Sequence, residues 1–383
     1  MADRDADGLD HGAGDVTWDV DETHVSVAPD DLPDAGEDDV DEAFRPRQRL
    51  TATGAAAPAA GSARLRRLIE RVPAAASGAP SPLRSGSAFR VVDSLGASMD
   101  ALDVIANPVV PGSYVGVYHI SIGGGRFALR LAASSDLRSW RKIGDLDAGG
   151  GGMGTARALP GGGFLLAYEA QGPTRPNGKI DSNVRLRYYR DGAALLSGRW
   201  AEQRNLPRKA GTSNQGTPDL RTIEWHGSLA SSRVALGFHW LDHGPKLAVD
   251  RQARATLDSG SWKVTIETGI DLALSRNGFH GNHGGRRQFA FPKSGKTWRV
   301  HEAQKVVNNP GSWRVFLYDV SARHFELLAV ATPRASRSFA NPTARILPSP
   351  HSGGGDALVV TMFIFGDGAG TGESGELVYY VDL

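Results

Sequence analysis

Three carboxylates stand beside or within short apolar strand runs in separate stretches of the chain: Asp103, Glu169 and Asp219. Carboxyl groups so placed suit acid–base work, in which one group gives a proton and another takes one. Glu302 is a fourth strand-end acid of the same kind. The alternative for each is a solvated strand end or a turn acid. Arg157, Arg286 or Arg287, and Arg345 fall near the start of further strand runs. Their planar donor fork fits a carboxylate or sulfate group, the alternative being pairing with Asp or Glu between sheets. His239 and His243 stand at i, i+4, but Phe238–Leu241 reads as a strand end, so no metal site is expected there.

The elements that must position these groups are read from composition and period. The 383 residues hold 48 Gly and 21 Pro, about 18% together against an ordinary usage of about 12%. That excess favours many short strands joined by turns over a helical bundle. There is no Cys, which removes disulfides, thiolate metal sites and cysteine nucleophiles. The longest apolar stretch, 357–365, is broken by Thr361 and falls well short of the ~20 residues of a membrane helix.

Charge divides the chain. Residues 1–42 carry 16 acids against Arg4 alone, and residues 43–90 carry nine Arg against Glu70. Such blocks, poor in aromatics, bury too little apolar surface to offset chain entropy. Residues 1–86 therefore read as a disordered leader, with one short helix over 63–72, and residues 87–383 as the folded domain. No apolar signal core follows Met1; the leader is either a genuine tail or lies upstream of the true start.

Within the domain one pattern recurs: a small polar lead-in, a short strand, a Gly/Pro turn and a strongly apolar strand. Anchors at Asn107, Thr155, Thr217, Gly284 and Asn341-Pro342 give five units of roughly 50–65 residues, each with room for about four strands. The expected fold class is all-β, a five-bladed β-propeller, with an irregular pair of β-sandwiches as the alternative. Trp262–Glu267 and Ile270–Leu274 are read as the last strands of the third unit. Phe89–Val92 is expected to close the ring on Leu377–Val381.

Ser134-Ser135-Asp136-Leu137-Arg138-Ser139-Trp140 resembles the S-x-DL-x-x-W turn of five-bladed glycoside hydrolases. The unit starts are likewise similar to those of glycoside hydrolase family 43 and the family 32 and 68 clan. That resemblance covers 87–383 and implies a carbohydrate substrate, an extracellular location, and three carboxylates opening the first three blades as base, pKa modulator and acid. At the matched positions this chain has Asn107, Thr155 and Gln215; amides keep hydrogen-bonding shape but exchange no proton near neutral pH. Catalysis is then expected from Asp103, Glu169 and Asp219, with Asn107, Thr155, Arg157, Gln215, His283, Arg286 and Asn341 binding substrate. Trp225, Trp240 and Tyr118 are either sugar-stacking rings or core.

Three alternatives stand beside a glycoside hydrolase: a noncatalytic carbohydrate-binding propeller, a sialidase-like propeller for acidic sugars, and a scaffold for protein partners served by the charged leader. Gly149–Gly154 matches G-x-G-x-x-G by glycine density alone and opens no helix, and Gly295-Lys296-Thr297 lacks the first glycine of a P-loop. No cofactor, no metal, no nucleic acid and no membrane span are expected, and the chain is read as a monomer.

Overall fold

A strand that is apolar at every position has to be covered on both faces. Residues 115–118, 164–168 and 357–362 are buried throughout, and each run lies in an interior strand of a four-stranded antiparallel sheet. The computed structural model describes residues 84–174, 180–208, 214–243, 248–290, 296–328, 330–351 and 355–383. The expected disorder of the leader, up to residue 83, and its helix over 63–72 fall outside the described residues.

Five sheets follow one another along the chain. Strand β1 (Ser85–Ala88) belongs to the last of them, and the first is β2 (Asp100–Ala106), β3 (Tyr114–Gly123), β4 (Arg126–Ser134) and β5 (Arg141–Asp147). The second is β6 (Gly151–Ala158), β7 (Phe164–Thr174), β8 (Ile180–Tyr189) and β9 (Glu202–Asn205). The third is β10 (Gln215–Glu224), β11 (Arg233–His243), β12 (Ala248–Asp258) and β13 (Ser261–Ile266). The fourth is β14 (His283–Ala290), β15 (Thr297–Gln304), β16 (Trp313–Asp319) and β17 (His324–Leu327). The fifth is β18 (Phe339–Pro348), β19 (Asp356–Ile364) and β20 (Gly375–Asp382), completed by β1 (Ser85–Ala88). The first strands touch in the cyclic order β2, β6, β10, β14, β18 and back to β2. The molecule is a five-bladed propeller, and it closes by pairing β1 with β20, Ser85 opposite Val381.

Apolar side chains fill the gaps between blades. Tyr118, Met99 and Trp140 of blade one pack with Val359, Val378 and Tyr380 of blade five, and Val117 and Leu129 pack with Leu166 and Tyr168 of blade two. The Ser134–Trp140 motif is the turn from β4 to β5. Asp136 Oδ1 accepts the N–H groups of Arg138 and Ser139, both at 2.8 Å. Leu137 takes a left-handed φ of 62° and is buried in the cluster between blades five and one. The motif thus serves the fold by plugging a blade gap.

Two expectations are corrected. The stretch 270–274 is helical, in α2 (Thr268–Arg276), which follows the five-residue α1 (Gly192–Leu196). Ile270, Ala273 and Leu274 fall on one buried helical face, and the third strand of that blade is instead β12. The closing strand is Ser85–Ala88, four residues before the expected Phe89–Val92.

Candidate functional site

Each inner strand carries one extra residue near its start. The ladder slips between Asp100 and Asp103, Gly152 and Thr155, Gly216 and Asp219, Gly285 and Arg287, and Ala340 and Thr343. These bulges turn the backbone left-handed at Ala101 (φ 53°), Met153 (50°), Thr217 (48°) and Asn341 (49°), a conformation that side chains with a Cβ resist. The preceding blade holds each of these four turns by its N–H. Glu376 accepts from Ala101 at 3.1 Å and Leu102 at 3.3 Å, and His119 Nδ1 from Met153 at 3.2 Å. Glu169 accepts from Thr217, and Glu302 from Asn341.

Since the inner strands start at one end of the ring and the second strands return to it, the rung at each bulge marks a common face. Asp100 lies opposite His119, Gly152 opposite Glu169, Gly216 opposite His239, Gly284 opposite Glu302, and Ala340 opposite Phe363. On this face Asp100 and Glu169 are partly exposed residues on adjacent blades, with their carboxyl groups largely withdrawn from solvent. Burial pushes Asp100 up to about 6, against a hydrogen bond from the Ser98 hydroxyl. Burial also raises Glu169, while His239 and the Ser182 hydroxyl pull the other way. His239 in turn faces Asp250, Nε2 to Oδ1 at 3.8 Å. Two carboxyls that hold protons at higher pH than usual are the material of general acid–base chemistry.

Gly216 is what lets Glu169 sit there. A Cβ on Gly216 would overlap Glu169 Oε2 and lie 3.0 Å from His239 Cε1. Gly216→Ala is therefore expected to expel the Glu169 carboxyl, break its bond to Thr217 N–H, and destabilise the fold by about 1–3 kcal/mol. A shifted urea midpoint with unchanged slope is the readout.

The structure separates the expected catalytic trio. Asp103 lies inside β2, fully buried. Arg345 binds it in a fork, Nε–Oδ1 3.0 Å and Nη2–Oδ2 2.9 Å. Arg287 Nη2 and Ala156 N–H donate to it as well. Burial alone would raise this carboxyl; the Arg287 and Arg345 charges overcome that and hold it well below the usual carboxylate range. Asp219, also buried, accepts from Gln288 N–H at 3.2 Å and faces Arg221 Nε at 3.4 Å. Both are fixed counter-ions shut away from solvent; only Glu169 of the three is partly exposed on the common face.

The expected binding residues are likewise dispersed. Asn107 follows β2 at its far end, where its side chain accepts from Val109 and Val110 N–H in an Asx turn. It does not open blade one; Asp100 does. Thr155 and Gln215 are buried. His283 is buried with Nδ1 on Asp271 at 2.8 Å and Nε2 on the Phe279 carbonyl at 2.9 Å, so both ring nitrogens are engaged. Arg157 donates to the Arg221 and Gln288 carbonyls, both at 3.1 Å. Asn341 forms the blade-five bulge, and the Arg286 side chain is outside the described residues. Tyr118, whose hydroxyl donates to Asp93, is core, and Trp225 and Trp240 pack against inter-blade clusters. Asp100, which the sequence reading missed, carries one available signal: it stands three residues before Asp103, as Gly216 stands before Asp219.

No family model matches the sequence, and no curated protein does. Solved structures do share the fold. A glycoside hydrolase matches with a TM-score of 0.51 at 11% identity, over 85% of this chain and 96% of the other. An N-acetylgalactosamine deacetylase from F. plautii, solved with blood group B trisaccharide, gives 0.49 at 12% identity over 79% and 96%. A thermostable family-43 glycoside hydrolase gives 0.45 at 11% identity over 75% and 89%. At these identities the likeness is one of fold.

Proposed function

We propose that this propeller acts on a carbohydrate at the end of the ring where the inner strands begin, cleaving a glycosidic bond by acid–base catalysis. Glu169 donates its proton to the leaving glycosidic oxygen. Asp100 takes a proton from the water that attacks the anomeric carbon, as paired carboxyls do in such enzymes. The observation that carries this reading is the pair of proton-retaining carboxyls, on partly exposed residues of adjacent blades, at one face. Asp100 opens blade one, where the glycosidases that the sequence resembles place their base, and the shared fold agrees with that resemblance.

A second reading, noncatalytic carbohydrate binding, draws on Glu169's bonds to the Ser182 hydroxyl and the Thr217 N–H, which engage it as a structural acceptor. A glycan array followed by a release assay on plant and bacterial polysaccharides separates the two. Binding with release supports hydrolysis, binding without release supports the second reading, and neither ends both.

The pH profile follows from the acids. The base works ionised, so kcat/KM is expected to rise with pH through about 6 as Asp100 loses its proton. Glu169 works protonated, so burial's upward push on its carboxyl extends the range over which it can donate, and activity is lost where it ionises. A profile flat from pH 5 to 7 would remove Asp100 from the base role.

A further inference from the structure

Two groups of buried guanidiniums crowd the middle of the ring: Arg157, Arg287 and Arg345 repel one another, and so do Arg221 and Arg299. Three carboxylates stand among them, Asp103, Asp219 and Glu267. Among these eight groups the cations outnumber the anions by two. Burial and the neighbouring cations lower Arg345 and Arg299 to about 10.

Arg287 reaches from blade four to Asp103 of blade one, so its guanidinium spans the axis. It is 1% exposed, and only Nη2 has a partner; Nε and Nη1 are buried and meet no acceptor. Thr155, at the equivalent bulge position of blade two, is also buried with its hydroxyl unpartnered. Buried donors of a native fold are nearly always matched by an acceptor, and here the surrounding charge is net positive.

We propose that a small monovalent inorganic anion of the chloride class binds on the propeller axis, accepting from Arg287 Nε and Nη1. Chloride supplies both what the donors need and one of the missing negative charges, whereas water supplies only the first. The enclosure of Arg287 leaves this position to an ion rather than to a sugar acid. The site is structural and independent of the carbohydrate reading.

The test is thermal unfolding of the full chain in sodium chloride against sodium gluconate at matched ionic strength. Saturating chloride is expected to raise Tm by roughly 3–5 °C, with bromide substituting for it. Crystals grown in bromide are expected to show an anomalous peak beside Arg287. Arg287→Lys keeps a cation facing Asp103 but lacks the two donors, and is expected to lose the chloride increment. Should that variant fail to fold, bromide diffraction on the unaltered chain decides. Equal Tm in both salts, an increment unchanged in Arg287→Lys, or no bromide on the axis would overturn the proposal.

Discussion

Asp103→Asn is expected to cost about 3–5 kcal/mol of folding stability, because it leaves buried cations without their counter-ion. Asp103 is fully buried and answers both Arg287 and Arg345. Asparagine preserves the shape but supplies one neutral acceptor where a carboxylate gave two charged ones. Breaking a buried pair is far more damaging than replacing all of it with apolar groups. The triple variant Asp103→Leu, Arg287→Met, Arg345→Met is accordingly expected to recover much of the loss. Urea unfolding of both measures this; a single variant within 1 kcal/mol of the original would show that the cluster is not held by charge. Acid should act in the same direction. The folded carboxyl titrates below its unfolded counterpart, so its stabilisation is complete above the ordinary carboxylate range and fades as pH drops through and beneath it.

The second large effect concerns the proposed chemistry. Glu169→Gln removes a proton donor while keeping an acceptor for Thr217 N–H, so folding should be nearly retained while glycan release falls about 10²–10⁴-fold. Asp100→Asn should reduce release comparably and abolish the acid limb of the pH profile, with glycan binding intact. The two roles of Glu169, holding the blade-three bulge and giving a proton, come apart in this comparison. Loss of folding without a specific loss of turnover assigns Glu169 to the bulge alone. Undiminished release from both variants removes the acid–base pair altogether.

The propeller was legible where one force dominates. Strands covered on both faces must be continuously apolar, and those runs recur with the period of the blades. β12 escaped because its sequence, AVDRQARATLD, intersperses half-buried and exposed charges with single apolar residues and has no long apolar run. Blade one was misaligned because Asn107-Pro108 looks like Asn341-Pro342. The second pair forms a bulge at a strand start and the first an Asx turn beyond a strand end. Pairing of Arg287 and Arg345 with an acid of another sheet was legible as one reading of those arginines, but which acid was not, and Asp103 stood out as a candidate catalyst rather than their counter-ion. Asp103 meets Arg287 and Arg345 across 184 and 242 residues of chain, and only the closed ring brings them together. Asp100 was overlooked for the same reason, since its relation to Glu169 exists only between blades.

The seam between β1 and β20 joins the first strand of the domain to the last, over four residue pairs. During synthesis, Ser85–Ala88 leaves the ribosome long before its partner exists. At ordinary translation rates the interval is about 15–60 s. Throughout that time blade five is unfinished, and blade one, joined late in the interval by blade four, has an exposed flank where it will dock. The nascent chain is thus an open arc whose ends are adhesive, and the ring closes only when β20 arrives.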